Sequence, residues 1–114
     1  MRTFLIAAAI LLLPAAATSA EPAARTITLT LKDHRFTPEK VEAPAGQRIR
    51  IELINLDSAT EEFDSQDLGV EKDVTPKGRI DFMVGPLKPG VYSFMGELHA
   101  DTASGALTAV AQPD

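Results

Sequence analysis

Three stretches of this chain alternate apolar and polar residues at every second position, and that period constrains the fold more than any other feature. Ile27, Leu29 and Leu31 are interleaved with Thr26, Thr28, Thr30 and Lys32. Arg48 to Asn55 reads Arg-Ile-Arg-Ile-Glu-Leu-Ile-Asn, and Arg79 to Val84 carries Ile80, Phe82 and Val84 on one side. A period of two sends successive side chains to opposite faces of a strand, which a helix cannot do. Phe36 to Glu42 reads as a short extended piece, with Pro38 confining it to an edge or bend. Ala43-Pro44-Ala45-Gly46 and Leu87-Lys88-Pro89-Gly90 are turns, since Pro and Gly supply their dihedrals. Val91 to Leu98 and Ala106 to Ala111 add two more strands. Six or seven short strands with turn signals every ten residues or so predict an all-β fold, an antiparallel sandwich or Greek-key barrel. Asn55 to Lys77 breaks the pattern. It is acidic and poor in alternation, and it predicts a long loop with a helical turn near Asp67 to Glu71. Such loops on small β scaffolds often carry function.

The ends read differently. Arg2, the apolar run Phe4 to Leu13, and small residues ending Thr18-Ser19-Ala20 have the form of a secretory signal peptide over residues 1–20. The run is short for a membrane span. The expected organisation is this signal followed by one domain, residues 21–114, placed in the periplasm. Loss of Arg2 takes the formal charge from −5 to −6. So acidic a chain is unsuited to nucleic acid, which demands a basic surface that displaces counterions. The sequence has no Cys. An exported chain without Cys has no disulfide framework, no thiolate metal site and no Cys nucleophile. No Gly-x-Ser-x-Gly and no phosphate-cradling loop occurs, so the chain carries no independent catalytic motif.

Several pieces taken together resemble the cupredoxins. They are Phe36 with Pro38, Ala45-Gly46-Gln47, Asn55, Glu62-Phe63, Pro86-Leu87-Lys88-Pro89-Gly90, Tyr92-Ser93-Phe94, His99 and Gly105. More narrowly, the chain is similar to the small periplasmic EfeO-type cupredoxin-like domains that accompany bacterial iron uptake. The resemblance implies a cupredoxin-like Greek-key β-sandwich of eight strands, with a metal site at one end between the loop before Phe63 and residues 95–105.

Departures from that family pattern set the chemistry. A blue-copper site uses two His, one Cys and a weak axial ligand. The position of the Cys falls on Gly96, the axial position near Ala103 or Ser104, and the first His on Glu61. His99 alone matches a ligand position. The resemblance therefore implies a metal site that is not a type 1 copper centre. Glu61, Glu97 and His99 are its candidate ligands, with Met95 as a secondary thioether candidate. Oxygen donors with one imidazole suit iron, manganese or Cu(II) better than Cu(I), so the expected cofactor is an iron or copper ion. His34 lies between the first two extended pieces and reads as a surface histidine at a turn, outside the site.

Two functions follow. One is a monomeric metal-binding accessory of an iron-uptake system, working beside an inner-membrane iron permease and assisting iron oxidation or handing iron over. The other is a metal-free interaction module that docks a basic partner through the acidic loop 57–73.

Overall fold

The computed structural model describes Thr3 and residues 25–113. The proposed signal segment, Thr3 apart, falls outside the described residues. Among the described residues nine strands make two sheets: β1 (Arg25–Lys32), β2 (Arg35–Thr37), β3 (Lys40–Pro44), β4 (Ile49–Asn55), β5 (Glu61–Ser65), β6 (Val70–Val74), β7 (Arg79–Val84), β8 (Gly90–Gly96) and β9 (Ser104–Val110). One sheet has the order β2-β1-β4-β7 and the other β3-β9-β8-β5-β6. A 3-10 turn, Glu97–His99, joins β8 toward β9.

The alternating segments form the inner faces. β1 and β4 run parallel, with Ile27 opposite Ile51 and Leu29 opposite Leu53, all of them buried. β3 and β9 also run parallel, so the sandwich is mixed where a purely antiparallel one was expected. The core between the sheets is organised by four phenylalanines. Phe36 and Phe82 come from one sheet, Phe63 and Phe94 from the other. Phe63 lies 5.0 Å from Phe82, 5.3 Å from Phe94 and 6.1 Å from Phe36, centroid to centroid. Offset and edge-on aromatic contacts of this kind add to the area they bury. Ile80 and Tyr92 pack half-buried at the margin of the core, while Val74, Ala43, Ala103 and Ala109 are fully inside it. The outer face of β4 and β7 stays wet, with Arg79 paired to Glu52 at 3.0 Å.

The expected loop from Asn55 to Lys77 is mostly a β-hairpin. β5 and β6 pair antiparallel from Glu61 opposite Val74 to Ser65 opposite Val70, and no helical turn stands near Asp67. The cause is legible in the burial of β5. Its inward residues are Glu61, Phe63 and Ser65, two of them polar, so hydrophobic alternation is hidden. β6 is an edge strand and carries Glu71, Lys72 and Asp73 exposed, a charged edge that resists pairing with another chain.

Candidate metal centre

Burying Phe63 decides where Glu61 goes. The two residues are on the same side of β5, so the core-facing Phe63 draws Glu61 inward, and its carboxylate is 3% exposed as a residue. A carboxylate removed from water is tolerated only if it is paired and hydrogen-bonded. Glu61 meets that condition. Oε1 accepts the backbone N–H of Leu98 at 3.0 Å and of Glu62 at 3.1 Å. Oε2 lies 2.5 Å from His99 Nδ1. The bond spans 38 residues of sequence and ties β5 to the 3-10 turn.

Gly96 makes the space for this carboxylate. A Cβ at position 96 would stand 2.6 Å from Glu61 Cδ and 2.9 Å from the Cβ of Ala103. Glycine is needed here because the Glu61 carboxyl fills the room a side chain at 96 would take. The turn beyond it is held by the N–H of Ala103 to the carbonyl of His99 at 2.8 Å, and that of Gly96 to the carbonyl of Ala103 at 2.9 Å.

His34 stands at the expected turn with its side chain 43% exposed, but it lies against His99 rather than away from it. Its ring stacks on that of His99 with centroids 3.7 Å apart and planes at 11°. The ligand atoms of His34, Glu61 and His99 all lie within 4.8 Å of one another. A two-residue turn between β1 and β2 puts His34 there, with φ of +52° at Asp33 and +58° at His34. Two left-handed residues are what a tight type I′ hairpin requires, and glycine is the usual occupant of the second. Asp57 holds the turn: its carboxylate accepts the N–H of Asp33 at 2.8 Å and of His34 at 2.9 Å. Burial pushes the Asp57 carboxyl up. Those two amides, together with the positive charges of protonated His34 and of Lys77, outweigh burial and hold it below its ordinary 3.8. Asp57 is positioned by the buried Asn55, whose side-chain oxygen accepts its N–H at 3.0 Å, while the Asn55 amide donates to the carbonyls of Ala59 and Thr75. The sequence gives Asn55 no role beyond a strand end and a part of the resemblance, and Asp57 none beyond the first position of the acidic loop 57–73. The signal for both is Asn-x-Asp after an alternating strand, an Asx-turn pattern.

The other two candidates lie elsewhere. Glu97 is exposed, and its carboxylate groups with those of Glu62 and Glu71 rather than with His99. Met95 alternates with the buried Phe94, is 41% exposed, and lines an open groove with Asp64, Asp67 and Ser93. Neither is brought to the Glu61–His99 pair.

The Glu62 carboxyl is pushed up to about 7, first by its hydrogen bond to Glu71, then by desolvation and by the charge of Glu97. A carboxyl raised in the fold binds protons there that the unfolded chain has released. Stability should therefore fall as pH rises from 4.5 to about 7, then level off. Thermal melting across that window checks this: Glu62→Gln should remove the decline, and added salt should shrink it. Identical profiles for the two proteins would contradict it.

The chain belongs to the cupredoxin-like domain family, whose model matches residues 3–109. An uncharacterized protein of Rickettsia prowazekii (strain Madrid E) is 46% identical over 79 residues, covering 69% of this chain and 63% of that one. A diaminopimelate epimerase of Bartonella tribocorum is 31% identical over 81 residues, 67% of this chain but 29% of that one. The chain thus spans under two thirds of the length of either relative. Among solved structures, the metal-binding domain of the Cu(I)-exporting P-type ATPase CopA of Streptococcus pneumoniae, with Cu(I), superposes with a TM-score of 0.67 at 15% identity, covering 81% of this chain and 91% of that one. A copper-containing nitrite reductase of Thermus scotoductus gives 0.62 at 16% identity, covering 81% of this chain and 29% of that one. A copper-binding protein solved by NMR in its apo form gives 0.62 at 16% identity, covering 75% and 86%. At such identities these likenesses describe the fold. With no Cys in the chain, a type 1 copper centre has no thiolate to be built from.

Proposed function

We propose that the protein is an exported metal-binding protein that holds one ion at the end of the sandwich, with Glu61 and His99 as ligands, and that it serves metal uptake in the periplasm. The observation that carries this reading is the Glu61–His99 pair itself: a buried carboxylate and an imidazole nitrogen facing each other at 2.5 Å. Two ligands of one ion at bond lengths of about 2.0–2.2 Å stand roughly 3 Å apart or more. An ion therefore displaces the shared proton and opens the pair slightly. Iron is the cargo suggested by the EfeO-type resemblance, with an inner-membrane iron permease as the partner. Copper is the ion named for the solved proteins that share the fold. The acidic surface concentrates either cation near the site.

Calorimetric titration with Fe(II) under anaerobic conditions and with Cu(II) tests the reading. One equivalent should bind, and Glu61→Ala and His99→Ala should each abolish saturable binding. No saturable binding by the wild-type protein, or binding that survives both substitutions, would sink it.

One observation favours the metal-free alternative. Glu61 already has three hydrogen-bond partners, so the pair closes this end of the sandwich without an ion. In that reading Glu62, Glu71 and Glu97 offer an exposed acidic face to a basic partner.

A further inference from the structure

We propose that His34 is the third ligand of this ion, delivered by the first hairpin, which makes the centre a two-imidazole, one-carboxylate site for a divalent first-row cation. This rests on the metal reading of Glu61 and His99 and deepens it. The chain has two histidines in all, 65 positions apart, and the fold stacks them on each other beside its buried Glu61 carboxylate. Chance surface placement gives no reason for that meeting.

The turn gives a second argument. Position 34 adopts a left-handed conformation that glycine occupies freely and a β-carbon makes costly. Turn geometry alone is served better by glycine than by histidine. A histidine held there under strain, its backbone N–H and that of Asp33 both hydrogen-bonded to the Asp57 carboxylate, is accounted for if its ring is used.

The stack describes the protein before it takes an ion. Imidazole lone pairs lie in the ring plane, so two parallel rings cannot both point at one ion between them. His34 must turn about its side-chain bonds. Its side chain is 43% exposed and has room to do so, giving up the 3.6 Å contact of its Nδ1 with Asp57 while the backbone stays hydrogen-bonded to that carboxylate. The three ligand atoms lie within 4.8 Å of one another. Ligands of one ion at about 2.1 Å sit no more than about 4.2 Å apart, so a small rotation completes the set. Two imidazoles and a carboxylate, with no sulfur donor, favour Fe(II), Cu(II) or Zn(II) over Cu(I), and three protein ligands leave positions open for exchange.

The test uses Zn(II) and Cu(II) as probes on the whole protein and its His34→Gly variant. Glycine suits the turn, so the variant should melt no lower than wild type, and a lost affinity then cannot be blamed on unfolding. Ring-proton NMR during Zn(II) titration should show both histidines shifting together, complete at one equivalent. Electron paramagnetic resonance of the Cu(II) form should count two coordinated imidazole nitrogens in wild type and one in His34→Gly. Affinity should fall at least about 10–100-fold, a loss typical even of residues one shell further out. If wild type binds with the His99 ring alone and His34→Gly binds equally well, the third ligand is refuted while the metal reading stands. If wild type binds neither ion, both are refuted.

Discussion

Phe63→Ala should destabilise the protein by about 3–5 kcal/mol, the range for deleting a fully buried aromatic ring. Phe63 has no exposed surface and contacts the rings of Phe36, Phe82 and Phe94 across both sheets. Neighbouring rings held in two sheets cannot all collapse into the space it leaves. A domain of this size is stable by only about 5–13 kcal/mol, so the variant should sit near the edge of folding. The effect also reaches the site, because Phe63 and Glu61 share the inner face of β5. Urea unfolding gives the number, and the slope should stay unchanged if only the native packing is lost. A loss below about 1 kcal/mol would mean the four-ring cluster is not the anchor of the two sheets.

Gly96→Ala should cost about 1–3 kcal/mol, the usual penalty for overfilling a packed site. The added methyl meets Glu61 Cδ at 2.6 Å and Ala103 Cβ at 2.9 Å. A side-chain end can often move aside, but this one is held by Leu98, Glu62 and His99. Relief therefore breaks the Glu61–His99 pair, and metal binding should be lost along with stability. Gly96→Cys meets the same carboxylate. Restoring the thiolate alone should therefore not yield the intense blue colour of a type 1 copper centre. Unchanged stability and metal affinity in Gly96→Ala would show that the carboxylate is not confined as described.

The fold was largely legible because its inner faces are written in period two. Ile27, Leu29 and Leu31 on β1, and Ile49, Ile51 and Leu53 on β4, declare their side of the sheet residue by residue. The hairpin of β5 and β6 was not legible for the opposite reason. Its inward positions hold Glu61 and Ser65, which read as polar loop residues until the partners that satisfy them are known. Ser65 gives its hydroxyl to the carbonyl of Ser93, a contact 28 residues away that no local pattern announces.

The site divides in the same way. Glu61 and His99 could be picked out by resemblance, because each falls on a ligand position of the family pattern. Glu97 could not be placed, since one residue of strand-end geometry sends its carboxylate toward Glu62 and Glu71 instead of His99. His34 could be read as a turn histidine but not linked to His99, because their meeting depends on Asp57 and Asn55, a relay through three loops. Local sequence shows a turn at Asp33-His34 but not what the turn faces.

The proposed ion is held by Glu61 and His99. Anomalous diffraction from crystals of the protein soaked in Zn(II) or Cu(II) tests it most directly. One strong peak is expected at the end of the sandwich, about 2.0–2.2 Å from a Glu61 oxygen and a His99 ring nitrogen. No peak there, or a peak confined to Glu62, Glu71 and Glu97, would contradict it.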